Sequence, residues 1–219
     1  MIGHNYSSCS SAGGKIYLDK KIPAITPTST NPSVTINNSY YFRITFNDNL
    51  QGRFLANYAK KVLQCSAVCV ISETLDYGAN LADIFVKTLQ EFNTPVLLNE
   101  KFVPPKMNDK SSINELKQRL NEIITNLCRE LDQYNDDKVI LYLSVHSPEG
   151  TILIQKIRDL GITNEIMTPD ALASQSFVDS FSNLKKKKCS GLLHRWYLCC
   201  HTIYLRYCRR ICTTFQRTL

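Results

Sequence analysis

Several signatures of catalysis are missing from this 219-residue chain. It has no GxGxxG and no GxxxxGK followed by Ser or Thr, so neither glycine-rich phosphate cradle can be built. It has no GxSxG nucleophile elbow, and no HExxH or paired CxxC to suggest a metal site. No stretch reaches the roughly 18 apolar residues of a membrane-spanning helix; the nearest, Gly191 to Arg206, is broken by His194, Arg195 and His201. The opening MIGHNYSSCSSAGG has neither the basic start nor the apolar centre of a secretory leader. Acidic side chains are absent after residue 180, where nine of the 26 basic ones lie. All 19 acidic residues precede that point, so the formal charge of +7 belongs to the end of the chain, and residues 1–180 are slightly acidic. The charge therefore gives no reason to read that part as a nucleic-acid binder. Cysteine is skewed the same way, with five of nine (Cys189, Cys199, Cys200, Cys208 and Cys212) in the tail. Cys9, Cys65, Cys69 and Cys128 read as small buried hydrophobes, not as a disulfide framework.

What is present is an alternation of strands and helices. Tyr40 to Leu63 anchors it. Phe42, Ile44 and Phe46 alternate with Tyr41, Arg43 and Thr45 as in a strand. Asn47 and Asp48 suit a helix N-terminus, and Leu50, Phe54, Leu55, Tyr58, Val62 and Leu63 predict one apolar helical face. Before it come a weak helix around Ile16 and Tyr17 and a short strand, Ile22–Thr26. No strand precedes Gly3 to support that helix, which points to a domain beginning upstream of Met1. After it, Ala67–Ile71 and Val139–Leu143 are apolar runs suited to strands buried on both faces. Pro95–Leu98 and Glu165–Met167 read as shorter strands. Helices are expected around Leu81–Phe92, from Ser112 to Asp132 with a Ser112/Glu115 capping box, from Pro148 to Gly161, and from Ala171 to Phe181. This order predicts parallel βαβ units with right-handed crossovers. Ligands of such sheets bind at the carboxyl ends of the strands, which here carry the polar loops 27–31, 47–48, 73–78, 144–149 and 168–170.

These loops suit a zwitterion better than a reaction. Ser7, Ser8, Thr28 and Thr30 offer hydroxyls for a carboxylate, backed by N–H groups at a helix start. Asp48 and Asp170 are acceptors for an ammonium, and Tyr77 is a flat wall. Each also has a plain structural reading: a helix cap for Ser7, Ser8 or Asp48, a turn for Asp170. Ser7, His4 and Asp48 have no spacing that argues for a catalytic triad. His146 near Glu149 is a proton-transfer pair on paper and a polar loop residue by default.

The stretches GHNYSSCSSAGGKIYLDKKIPAITPTSTNPSVT, YYFRITFNDNLQGRFLANYA, VCVISETLDYGANLADIF, ILYLSVHSPEGTILIQKIRDLGI and IMTPDALAS resemble, in order and spacing, the leucine/isoleucine/valine-binding proteins. These are periplasmic solute-binding proteins of branched-chain amino-acid ABC transporters. The resemblance covers about residues 1–180. It implies an α/β fold of the type I periplasmic-binding-protein kind, a parallel doubly wound sheet, with part of the first lobe (1–46) and most of the second (47–181). It implies an amino-acid ligand in the cleft, a permease partner, a periplasmic site of action for the intact family, no cofactor and no catalysis. By resemblance Ser7 holds the ligand carboxylate, with Ser8 beside it, and Thr28 and Thr30 serve carboxylate and ammonium. Asp48 lines the cleft at the first crossing, Tyr77 is the second-lobe tyrosine, and Asp170 pairs with the ammonium. His146 stands where the branched-chain binders have a tyrosine, so the preferred side chain stays open. The expected protein is a solute-binding protein lacking segments at both ends; the alternatives are an amino-acid-sensing receptor module and a non-functional remnant. Residues 182–219 are expected outside the fold. Three readings of this tail remain: an out-of-frame end, a basic segment for anionic lipid or nucleic acid, and a Cys/His metal knuckle.

Overall fold

The computed structural model describes residues 1–106, 108–134, 136 and 138–181; the tail and the three readings of it lie outside them. Helix α1 (Ser7–Asp19) leads to strand β1 (Ala24–Thr26), a 3-10 turn at Pro32–Val34, and β2 (Tyr41–Arg43). Then follow α2 (Asp48–Lys61), β3 (Ala67–Glu73), α3 (Asp76–Glu91), β4 (Val96–Phe102) and α4 (Lys110–Tyr134). The described chain closes with β5 (Val139–Ser144), α5 (Glu149–Asp159), β6 (Ile166–Met167), a 3-10 turn at Asp170–Leu172 and α6 (Gln175–Asp179).

Two parallel sheets result: β1–β2, and a four-stranded sheet in the order β4-β3-β5-β6. In the larger sheet β3 and β5 are central and buried along their whole length. Their uninterrupted apolar sequences are what two covered faces demand. Val68, Val70, Ile140 and Tyr142 point to the layer that holds Leu55, Ala59, Phe85 and Leu89 of α2 and α3. Cys69, Ile71, Leu141 and Leu143 point to the layer that holds Leu120, Ile123, Leu127 and Leu153 of α4 and α5. From β3 the chain winds outward through α3 to β4, then crosses back through α4 to β5 on the other side of β3. The winding direction therefore reverses between β3 and β5. The crevice at their carboxyl ends is the place where doubly wound sheets bind ligands.

Six local expectations are corrected. Strand β2 stops at Arg43, and its faces are reversed: Tyr41 is buried, whereas Phe42 is 54% and Ile44 72% exposed. On α2 the buried face is Gly52, Leu55, Ala56 and Ala59, while Leu50 and Phe54 lie 47% and 44% exposed. Small residues win there because α3 comes close: a Cβ on Gly52 would sit 2.7 Å from the Ile84 Cγ2. Helix α4 begins at Lys110, not Ser112, because the Asp109 carboxylate accepts the Ser111 N–H at 3.0 Å; Glu115 takes the Ser111 hydroxyl instead of closing a box with Ser112. The expected last helix is split into the 3-10 turn and α6. Cys65 and Cys69 are buried and Cys128 half-buried, but Cys9 is exposed. Ahead of α1, Ile2 forms a parallel bridge with Ile25, so a trace of strand does precede Gly3.

Candidate functional site

The smaller unit is tied together by hydroxyls. The His4 carbonyl accepts from the hydroxyls of Thr26 at 3.1 Å and Ser29 at 3.0 Å. Ser10 and Ser29 hydroxyls are 2.7 Å apart, and the Tyr41 hydroxyl donates to the Gly3 carbonyl at 2.7 Å. The surplus of Ser and Thr in the sequence is thus spent largely on fixing the backbone ahead of α1. Thr28 belongs to this set: it is exposed, and its hydroxyl donates to the Asn5 carbonyl at 3.0 Å. Ser7 is buried and accepts the Asn31 N–H at 3.3 Å, while Ser8 is half-buried. Helix α1 starts after Tyr6 with no side-chain cap, so no side chain of its N-cap satisfies its first-turn N–H groups.

Arg43 was not singled out in the sequence, yet it organises the 29–35 loop. Its guanidinium donates to the carbonyls of Thr30 at 2.7 Å and Asn31 at 2.8 Å, and to the Thr35 hydroxyl at 2.6 Å. The loop so held meets the larger unit. Asn31 Nδ2 donates to the Asp76 carbonyl at 2.6 Å, and the Asp48 N–H donates to the Thr30 carbonyl at 3.0 Å.

Asp48 opens α2 behind its N-cap Asn47, whose side chain accepts the Leu50 N–H. Its carboxylate is wholly buried beside the equally buried Thr30, and Asn80 Nδ2 donates to it at 3.2 Å. Burial pushes its pKa up to about 6, with the Asp170 charge adding to the rise and the Thr30 and Asn80 side chains and Arg43 opposing it. Asp48 is thus wholly buried and not on an open surface.

Asp170, in contrast, is half-exposed. Gln51 Nε2 donates to its Oδ1 at 2.9 Å, and the Tyr77 hydroxyl donates to the same oxygen at 2.6 Å. The Ala171 N–H in turn donates to the Tyr77 oxygen at 3.2 Å. Burial, with the Asp170 charge adding to it, holds the Tyr77 phenol well above its ordinary pKa, so it stays a donor. Both donors converge on one oxygen of Asp170, and Oδ2 takes none of the hydrogen bonds described.

His146 follows β5, and its partner is Glu73, not Glu149. Glu73 ends β3, is almost completely buried, and takes the His146 ring at Nδ1 (2.6 Å) with one oxygen and the His146 N–H (3.2 Å) with the other. Room for this carboxylate comes from Gly78: a Cβ there would run into Glu73 Cγ and lie 2.6 Å from the Ser144 carbonyl oxygen. The imidazole is bracketed by Tyr77 (ring centroids 4.7 Å apart) and by Tyr6 from the other unit (4.9 Å, edge-on). The sequence reading missed Glu73, Gln51, Tyr6 and Arg43. Glu73 alone left a signal, a carboxylate directly after the apolar run AVCVIS.

The arrangement therefore brings Tyr77, His146 and Asp170 together, sets Ser7 and Ser8 at the facing helix start, and leaves Asp48 and Thr30 beneath as support. Aromatic rings, one half-exposed carboxylate and a helix start without a side-chain cap thus lie near the switch point of a parallel α/β fold. The sequence matches the model of the receptor family ligand binding region over residues 1–191, and the chain belongs to that family. An amino acid binding protein of Pseudomonas aeruginosa is 27% identical over 175 residues, which are 80% of this chain and 42% of that one. The leucine-specific-binding protein of Salmonella typhimurium is 25% identical over 194 residues, 88% of this chain and 47% of its own. Among solved structures, the leucine binding protein LivK of Thermotoga maritima superposes with a TM-score of 0.65 at 27% identity, over 81% of this chain and 46% of that one. The LivJ substrate binding protein of Streptococcus pneumoniae, solved with isoleucine, shares the fold with a TM-score of 0.61 at 20% identity. The fold is that of type I periplasmic binding proteins, as the resemblance implied. The chain spans about half the length of the curated relatives it matches.

Proposed function

We propose that this chain is a solute-binding, non-catalytic protein part that holds a small α-amino acid between its two units. Residues 1–46 supply a portion of one lobe and residues 47–181 most of the other. The ligand carboxylate sits at the start of α1, on the Ser7 and Ser8 N–H and hydroxyl groups. The ammonium sits on Asp170. Tyr77 and His146 wall the side chain, and Thr30 and Asp48 support the loop beneath; Thr28 acts through the loop's shape, since its hydroxyl is already engaged. In the complete assembly such a protein delivers its amino acid to an ABC-transporter permease, with the periplasm as its site of action.

The observation that carries this reading is the asymmetry of Asp170, a half-exposed residue whose two protein donors share Oδ1, so that Oδ2 takes none of the hydrogen bonds described. A carboxylate so fixed is an acceptor for an ammonium, and a charge-assisted hydrogen bond of that kind contributes about 1.5–3 kcal/mol. The test is calorimetric titration of the full chain with a panel of α-amino acids and their α-hydroxy counterparts. The amino acids bind and the hydroxy acids do not, and Asp170→Asn weakens binding by roughly tenfold or more. Equal binding of both series to the wild-type chain would remove the assignment.

A further inference from the structure

The His146–Glu73 pair is more than a wall. Glu73 uses both oxygens on the same residue, one on the ring Nδ1 and one on the main-chain N–H. This fixes the orientation of the imidazole. With Nδ1 engaged, Nε2 is the remaining edge, and it has no hydrogen-bond partner among the described residues. The ring is partly open, with 19% of its side chain exposed. Its flanks are the faces and edges of Tyr6 and Tyr77. Tyr6 is also the residue from which α1 starts, and Tyr77 is the residue that holds Asp170. The free edge of His146 thus lies beside two rings, one at the start of α1, proposed above for the carboxylate, and one that holds Asp170, proposed for the ammonium.

The charge around this edge has one sign. Glu73 and Glu149 are buried beside the imidazole, Asp170 lies beyond Tyr77, and none of the ion pairs or hydrogen bonds described for these residues brings in a Lys or Arg. A purely aliphatic side chain would leave the Nε2 edge dehydrated and unpaired, which weakens binding by about tenfold or more. A carboxylate side chain would meet three acids. A side chain ending in N–H donors fits the neutral tautomer whose Nδ1–H donates to Glu73: Nε2 then accepts, the carboxylates attract, and the tyrosine rings tolerate a cation at their faces.

We propose that His146, oriented by Glu73, is the specificity-determining residue of the cleft and selects amino acids whose side chains end in N–H donors, amide or ammonium, over aliphatic and acidic ones. The proposal rests on the amino-acid-binding reading above.

The experiment is calorimetric titration of the full-length chain with L-glutamine, L-lysine, L-leucine and L-glutamate, with folding followed by circular dichroism. The expected result is that glutamine or lysine binds at least about tenfold tighter than leucine and glutamate. In His146→Leu that preference is lost and leucine gains; in His146→Gln, which keeps an acceptor, the preference survives in part. Leucine as the tightest ligand of the wild-type chain overturns the proposal, as does a preference for glutamine or lysine that His146→Leu leaves unchanged. If leucine wins and Asp170→Asn still abolishes its binding, only the role of His146 falls. If none of the four binds the folded chain, the amino-acid reading falls and this assignment with it.

Discussion

Asp48 is a carboxylate without water around it. It sits in the first turn of α2, where the helix dipole favours a negative charge, yet burial outweighs this and its pKa rises from 3.8 to about 6. An acid that holds its proton more tightly folded than unfolded carries a penalty when ionised. That penalty is absent below about pH 4, grows as pH rises toward 6, and is complete above it, where it amounts to roughly 3 kcal/mol. Asp48→Asn keeps an acceptor for Asn80 and removes the charge. The variant should therefore melt at a higher temperature than the wild type at pH 7.5, with the gap closing as pH falls to 4. Melting curves at several pH values check this; a gap that widens on acidification contradicts it.

At the level of elements, the α2–α3 contact shows why pattern reading succeeds in one place and fails in another. Strands β3 and β5 were legible as AVCVI and VILYL because both their faces are covered. Long α4 was legible because its Leu and Ile recur on one side. The buried face of α2 was legible only in part: Leu55 is buried as expected, but the rest is Gly52, Ala56 and Ala59, which carry little apolar weight, and the conspicuous Leu50 and Phe54 lie on the exposed side. The reversed faces of β2 have the same cause: Tyr41 is buried for its hydroxyl as much as its ring, as its bond to Gly3 shows. At the site, Asp170, Tyr77 and His146 were legible as polar residues at strand ends. Glu73 and Gln51 were not, because their roles come from partners 73 and 119 residues away. Gly52 offers a test. Alanine there would gain up to about 1 kcal/mol of helix propensity but meet Ile84 at 2.7 Å, and such overpacking costs about 1–3 kcal/mol. Gly52→Ala should be net destabilising in a denaturant titration, and pairing it with Ile84→Ala should recover stability relative to Ile84→Ala alone.

For the whole molecule the two units differ in how completely they are covered. The larger sheet has helices on both faces. The smaller has α1 on one face only, and on the other Ile2, Ile25 and Phe42 stand side by side across adjacent strands, with Ile44 beyond them. Such a row is larger in apolar content than isolated surface residues normally present. The purified chain should bind an apolar fluorescent dye without denaturant, and the double change Phe42→Ser, Ile44→Ser should lower that signal while leaving the circular dichroism spectrum intact. An unchanged signal would locate the exposed surface elsewhere.

One oxygen of Asp170 collects its donors from α2 and α3, 119 and 93 residues earlier in the chain. The last partner to be synthesised is therefore the one that completes the ammonium position proposed here. During translation, β1 to β5 must find their places before Asp170 is there to take the proposed ammonium. Added ligand should leave the early phases of refolding unchanged and act only on the final docking of the segment around Asp170, like a latch that closes after the box is built.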